Sequence, residues 1–319
     1  MDIAAGKLLP VKKRKRNTWK RVKKNWLVYL LILIPVASVL IFNYVPMLGV
    51  LMAFNKYQMT KGFLGIFTSP WVGFANFNRL FTSLNFWQVL GNTLIFSLYG
   101  IIFIFPAPIL FALLLNEMRG KWFKRAVQTI TYLPNFFSGP VILGLFLAVF
   151  SAQYGVLNAV IGSLGGSTQN FQANPGLFRT LIVGLRMWQN TGFGAIIYLA
   201  AITGIDQEQF ESARLDGANR FRQIWHITIP GIMPTIVMLL IFQIGSILNS
   251  QFFDLIFLLY SPPTYPTGDI IGTYVYRQGI LQMSYSYTTA VGLFQSAVGL
   301  ILVIGANQFA KRVGQRGVF

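Results

Sequence analysis

The sequence predicts an all-α membrane protein with six transmembrane helices and both termini in the cytoplasm. Three observations predict it. Of 319 residues, 54% are hydrophobic and only 11% are charged, against roughly 45–50% apolar in soluble domains. The apolar residues gather into six runs that each exceed the ~20 helical residues needed to cross a hydrocarbon core. Lys and Arg fall unevenly in the segments between those runs, as the positive-inside bias requires.

The runs cover approximately 26–54, 88–115, 127–150, 179–202, 233–260 and 285–309. The first follows a basic segment, Lys12 to Lys24. It is too long for the apolar core of a cleaved signal peptide, about 7–15 residues, and reads as a retained span. With both ends inside, the inner segments hold 20 of the 26 Lys and Arg: ten in the N-terminal tail, then Arg119, Lys121, Lys124 and Arg125, then Arg214, Arg220 and Arg222, then Lys311, Arg312 and Arg316. Three divisions follow: a cytoplasmic tail, 1–25; a membrane domain, 26–309, containing an inner loop at 203–232; and a cytoplasmic tail, 310–319. The outer segments 55–87, 151–178 and 261–284 are rich in aromatic and small polar residues and read as folded caps.

Composition also excludes. A net charge of +18 in a soluble chain would suggest nucleic acid, but here the basic residues flank apolar runs, so no nucleic-acid partner is expected. The tail reads as a topology determinant and an anchor to anionic membrane lipids. Cys is absent and His226 is the single histidine, so no metal site is expected. No G-x-x-x-x-G-K-[ST] phosphate loop occurs and no nucleophile–base pair is evident. No catalytic residue and no cofactor are assigned to the chain.

The inner loop carries most information. Four of the eight acidic residues, Asp206, Glu208, Glu211 and Asp216, lie within it. Asp206 followed by Gln209 is a helix-start pattern. Phe210, Ala213, Gly217, Phe221 and Ile224 recur at helical spacing, and Gly217 breaks the segment into two short helices. Pro230 and Pro234 mark return into the membrane. The pattern fits a solvated turn or a docking surface for a cytoplasmic partner.

Glu211-Ser212-Ala213, then three residues, Gly217, nine residues and Ile227-Thr228-Ile229-Pro230 resembles the EAA signature of permease subunits of binding-protein-dependent ABC importers. Ser212 stands for Ala and Ile229 for Leu, both conservative in size or polarity. Asn43-Tyr44-Val45-Pro46, Trp71-Val72-Gly73-Phe74-Ala75-Asn76, Leu115-Asn116-Glu117 and Tyr132-Leu133-Pro134 extend the resemblance to the oligosaccharide and polysaccharide branch. Within it the chain is similar to the first permease of alginate-oligosaccharide importers. The resemblance implies a type I ABC importer permease fold in a bacterial inner membrane. It implies a second homologous permease, two ATP-binding subunits that hold ATP and Mg, and a soluble substrate-binding protein. It further implies that Glu211, Ser212, Ala213, Asp216, Gly217, Ile227 and Pro230 couple the chain to an ATPase.

Polar residues inside a span cost about 2.5–3.5 kcal/mol on insertion scales. Arg186 lies in the fourth run with Gln189, Asn190 and Phe193 on the same helical face; Gln251 and Asp254 lie in the fifth. Their distances from the signature match the sugar-contact positions of related permeases. Two readings stand: a structural ion pair between Arg186 and Asp254, or a sugar path in which Arg186 meets a substrate carboxylate, since a guanidinium forks well onto one. The expected function is ATP-driven import of oligosaccharides, acidic ones included. The alternatives are a neutral oligosaccharide or other polar solute, a secondary transporter, or a membrane-bound enzyme. The second would need internal repeats and the third clustered acid and base groups; neither is seen.

Overall fold

The computed structural model describes residues 23–249, 251–314 and 317; apart from Lys23 and Lys24, the basic tail lies outside the described residues. The chain divides into two units, Met1–Leu51 and Met52–Phe319. α1 (Trp26–Phe54), all but its last three residues in the first unit, is long and apolar enough to cross a membrane. None of its side chains from Trp26 to Val39 is buried. A helix apolar on every side is at home in lipid rather than water.

Helices joined by turns and irregular loops make up the described residues of the second unit, in which the β structure is a single antiparallel bridge between Asn55 and Trp71. Its elements are α2 (Ala75–Thr82), α3 (Leu84–Glu117), α4 (Lys121–Phe136) and α5 (Gly139–Phe150). These are followed by α6 (Val156–Ser163), α7 (Pro175–Thr203) and α8 (Gln207–Leu215). The last are α9 (Arg220–Gly245), α10 (Phe253–Leu259), α11 (Ile271–Tyr276) and α12 (Tyr285–Arg312). Among the described residues four helices, α1, α3, α9 and α12, are long and apolar enough to span, and five if α4 and α5 count as one. The 29-residue α7 has the length, about 1.5 Å per residue, but carries Arg186, Gln189 and Asn190.

Three apolar clusters hold the second unit together. Phe96, Ile142, Phe178, Ile182 and Ile256 join α3, α5, α7 and α10. Leu80, Phe86, Tyr274, Tyr287 and Val291 join α2, α3, α11 and α12. Ala112, Ala195, Tyr198, Ile202 and Ile232 join α3, α7 and α9. α3 contributes to all three and α7 to two of them, so these two helices form the centre of the unit. Leu98, Ile102, Leu110 and Leu114 of α3 are exposed, which suits a lipid solvent.

Two expected spans require correction. The run 127–150 is not one helix: α4 and α5 meet at a 107° bend. Pro134 ends the regular turns of α4 and Pro140 occupies the first turn of α5, with Phe137 and Ser138 extended between them. Proline has no amide hydrogen to continue the ladder. The run 233–260 is also divided. α9 starts at Arg220, so Pro230 and Pro234 lie inside it rather than at its start, and it stops at Gly245. The polar stretch after it, with Asn249 and Gln251, is not helical and α10 follows separately. At Pro46, Pro106 and Pro230 the missing amide is accommodated the same way. A five-residue π turn precedes each, as where the Phe105 amide donates to the Gly100 carbonyl at 2.8 Å.

The segments expected outside, 55–87, 151–178 and 261–284, are organised by buried and half-buried polar side chains. Asn76 donates to the carbonyls of Ala53 and Asn55 at 2.9 and 3.2 Å. Asn158 donates to the carbonyls of Ser151 and Gln169 at 3.0 and 2.9 Å and accepts from the Gln169 amide. Asp269 receives a forked pair from Arg277 at 3.0 and 2.5 Å and a hydroxyl bond from Thr273 at 2.7 Å. That bonding holds the Arg277 guanidinium even further above its usual range.

α7 approaches α4 at Gly192, where an added Cβ would collide with the Thr131 backbone carbonyl. Gly192→Ala is therefore expected to destabilise the chain by about 1–3 kcal/mol, the usual cost of overpacking. A thermal melt of the detergent-solubilised protein measures it; an unchanged midpoint would show that α4 moves aside freely.

Candidate functional site

The loop expected at 203–232 holds one short helix, α8, which meets the start of the long α9 at a defined bend. The second short helix expected after Gly217 is the first part of α9, because no helix break follows Arg220 until Gly245. Asp206 caps α8 by accepting from the Glu208 amide at 3.0 Å. At the other end the Ala218 amide donates to the Ala213 carbonyl at 2.8 Å and the Gly217 amide to the Arg214 carbonyl at 3.1 Å. These two bonds are the Schellman closure, which requires a left-handed residue after the cap; Gly217 supplies it with φ +75°. Asn219 then caps the start of α9 by accepting from the Arg222 amide at 2.9 Å.

The bend divides the loop's side chains. Phe210, Ala213 and Ala218 are half-buried against the body of the chain, while Glu211 and Ser212 face outward. Large apolar side chains also face outward beside them: Leu215 is 90% exposed, Phe221 72% and Trp225 61%. Further along the signature, Ile227 and Ile229 are half-buried within α9, and Ile205 packs against Gly231.

The second candidate constellation lies on α7. Arg186 is only 7% exposed. One Nη donates to the Asp254 carboxylate at the start of α10, and the other donates to Gln189 Oε1 at 2.9 Å. Its Nε is buried without a hydrogen-bond partner. The carboxylate side is open, with 53% of the Asp254 side chain exposed. From Asn190, one helical turn beyond Arg186 on α7, a cavity of about 440 Å³ is lined by Asn190, Phe193 and Tyr198 of α7, Ile104, Phe105 and Pro108 of α3, Asn135 of α4, Leu239, Phe242 and Gln243 of α9, and by Ser246 and Gln251; Arg186, Gln189 and Asp254 are not in its lining. The amides of Gln251 and Gln243 converge over Gly100, where a side chain would meet them.

The six residues expected along a substrate path thus fall into two adjoining groups. Arg186, Gln189 and Asp254 form the charged cluster; Asn190, Phe193 and Gln251 line the cavity. Asn135, Gln243 and Ser246 were not anticipated. Gln243 was legible as an isolated polar residue in an apolar run. Asn135 and Ser246 sit at helix breaks, and only the fold turns them inward.

Residues 104–315 match the family described as "binding-protein-dependent transport system inner membrane component". The chain is 45% identical to Protein LplB of Bacillus subtilis (strain 168) over 297 residues, which is 93% of this chain and 92% of that one. It is 44% identical to the polygalacturonan/rhamnogalacturonan transport system permease protein YteP of the same organism over 307 residues, covering 96% and 94%. Its fold matches a chain of a bacterial alginate ABC transporter in complex with an alginate pentasaccharide-bound periplasmic protein. That match has a TM-score of 0.85 and 40% identity and covers 95% of this chain and 100% of the other. The matched family, the YteP relative and the alginate transporter are named as transport components rather than enzymes. The chain belongs to the binding-protein-dependent transport system inner membrane components, with the type I ABC permease fold.

Proposed function

We propose that this chain is the membrane permease of an ATP-driven importer that carries acidic oligosaccharides through a bacterial inner membrane into the cytoplasm. The observation that carries the substrate class is Arg186: a buried guanidinium with an unused donor, one helical turn before Asn190 at the wall of a cavity lined by amides and aromatic rings. A buried charge needs a partner, and Asp254, being open on one side, is a partner that a substrate carboxylate can replace. Amide groups and aromatic faces complement sugar hydroxyls and rings. Relatives named for polygalacturonan/rhamnogalacturonan and alginate support the same class.

In this reading six spans cross the membrane, with α7 as the fourth and the α4–α5 pair as a broken third. Residues 26–309 form the membrane domain, with 1–25 and 310–319 as cytoplasmic tails, and α12 reaches Arg312 into the latter. Glu211, Ser212, Ala213, Asp216, Gly217, Ile227 and Pro230 form the coupling element. The apolar rim of Leu215, Phe221 and Trp225 around Glu211 supports a protein partner there, since exposed apolar side chains rimmed by polar groups mark docking surfaces. The partners are a second permease, two ATP-binding subunits holding ATP and Mg, and a soluble binding protein.

The test is reconstitution in proteoliposomes with partner subunits and binding protein. ATP hydrolysis is expected to rise several-fold with uronate oligosaccharides and little with neutral ones of equal length. Equal stimulation by both removes the acidic assignment. Topology is tested separately, because the chain lacks Cys and single cysteines report cleanly. Phe210→Cys is expected to react only with a reagent that enters the cell; labelling from outside overturns the arrangement.

A further inference from the structure

We infer that Glu117 is a positioning residue, a strut that fixes the coupling loop to the wall of the substrate cavity. This rests on the coupling reading of the loop. Glu117 is the last residue of α3. Its Oε2 lies 3.6 Å from an Nη of Arg220, the first residue of α9. Its Oε1 accepts from the Asn116 side-chain amide at 3.5 Å, which orients the carboxylate. The pair borders a polar pocket of about 190 Å³ whose remaining wall includes Gln207, Phe210 and Arg214 of α8. Carboxylate and guanidinium therefore meet where α3, α8 and α9 converge.

What each helix does elsewhere gives the contact its meaning. α3 runs from Glu117 back to Pro108 at the cavity wall, about 13 Å at 1.5 Å per residue. α9 runs from Arg220 to Gln243 on the same cavity. Arg220 is held to α8 through the Gly217 bend, the Asn219 cap and the Gln223 amide, which donates to the Ala218 carbonyl at 2.8 Å. A push on α8 is thereby delivered to both cavity walls, and Glu117 is the side chain that brings α3 into that delivery. A partly exposed pair at this distance contributes little to stability, so its loss is felt as orientation rather than unfolding.

The experiment measures sugar uptake per ATP hydrolysed by the assembled transporter in membrane vesicles. Glu117→Gln is expected to lower that ratio about two- to fivefold while hydrolysis persists. Arg220→Glu, which sets two carboxylates together, is expected to lower it further. The double exchange Glu117→Arg with Arg220→Glu is expected to recover most of it; a merely structural pair would instead change the amount assembled and leave uptake per ATP unchanged in all three variants. A normal ratio for Glu117→Gln overturns the inference, as does an exchange variant that assembles in normal amount and stays uncoupled. If Glu117→Gln fails to assemble, the exchange variant decides: recovered assembly and coupling support the strut, and failure of both removes it. Glu211→Ala in the same assay separates the two readings. Its loss of uptake beside a normal Glu117→Gln removes only the strut, whereas normal uptake in Glu211→Ala removes the coupling reading itself.

Discussion

Glu211→Ala is expected to lower uptake by about ten- to a hundredfold while the chain still inserts and accumulates. The carboxylate faces outward from α8 and has no ion-pair partner among the described residues. Nothing within the chain is lost by removing it, so its effect falls on whatever docks there. A hydrogen bond to a charged group contributes about 1.5–3 kcal/mol, and each 1.4 kcal/mol is about tenfold. Gly217→Val is expected to match or exceed that loss by another route. There is open space around a Cβ at this position, so no clash arises. The φ of +75° is the difficulty, for a β-branched residue is an outlier there. The left-handed conformation costs about 1–2 kcal/mol. The chain would escape it by opening the two closing bonds, re-aiming Leu215 and Phe221 relative to Glu211. Uptake measured against immunoblotted membrane protein reads both effects. Wild-type transport by both variants would show that the loop is only a turn between spans.

Arg186→Gln is expected to reduce uptake of acidic oligosaccharides about tenfold more than uptake of neutral ones, with the transporter assembled. Glutamine keeps hydrogen bonding toward Gln189 but removes the charge that a carboxylate would meet. The reverse change separates substrate handling from structural pairing. Asp254→Asn leaves a guanidinium buried without its counter-charge, and breaking a buried pair from that side costs about 3–5 kcal/mol. Arg186→Gln instead leaves a carboxylate half open to water, a milder loss. Asp254→Asn is therefore expected to lower the melting temperature more than Arg186→Gln does. If Arg186→Gln alone abolishes assembly and adding Asp254→Asn restores it, the pair is structural. Equal loss of acidic and neutral uptake also removes the acidic-sugar assignment.

The helical class and the existence of long apolar spans were legible because lipid compatibility is a property of composition and run length, which no tertiary contact is needed to satisfy. The capped bend at 206–217 was legible for a related reason: Asp206 and Gly217 act on backbone groups a few residues away, so local chemistry suffices. Glu211 and Pro230 could be located by spacing alone, although Pro230 turned out to lie inside α9 rather than at its start.

The bend between α4 and α5 and the end of α9 at Gly245 were not legible. The runs 127–150 and 233–260 are apolar enough for unbroken spans, and prolines within membrane helices are often accommodated, as at Pro46, Pro106 and Pro230. Whether a proline bends or breaks a helix depends on what packs beside it. Nor could sequence spacing decide that Arg186 on α7 meets Asp254 on α10, or that Glu117 on α3 meets Arg220 on α9. The composition and local backbone chemistry of the sequence by themselves determined a helical membrane chain with a capped bend at 206–217. Only the tertiary structure decided which polar side chains face one another, because a charge pair forms across helices distant in sequence and depends on how those helices pack.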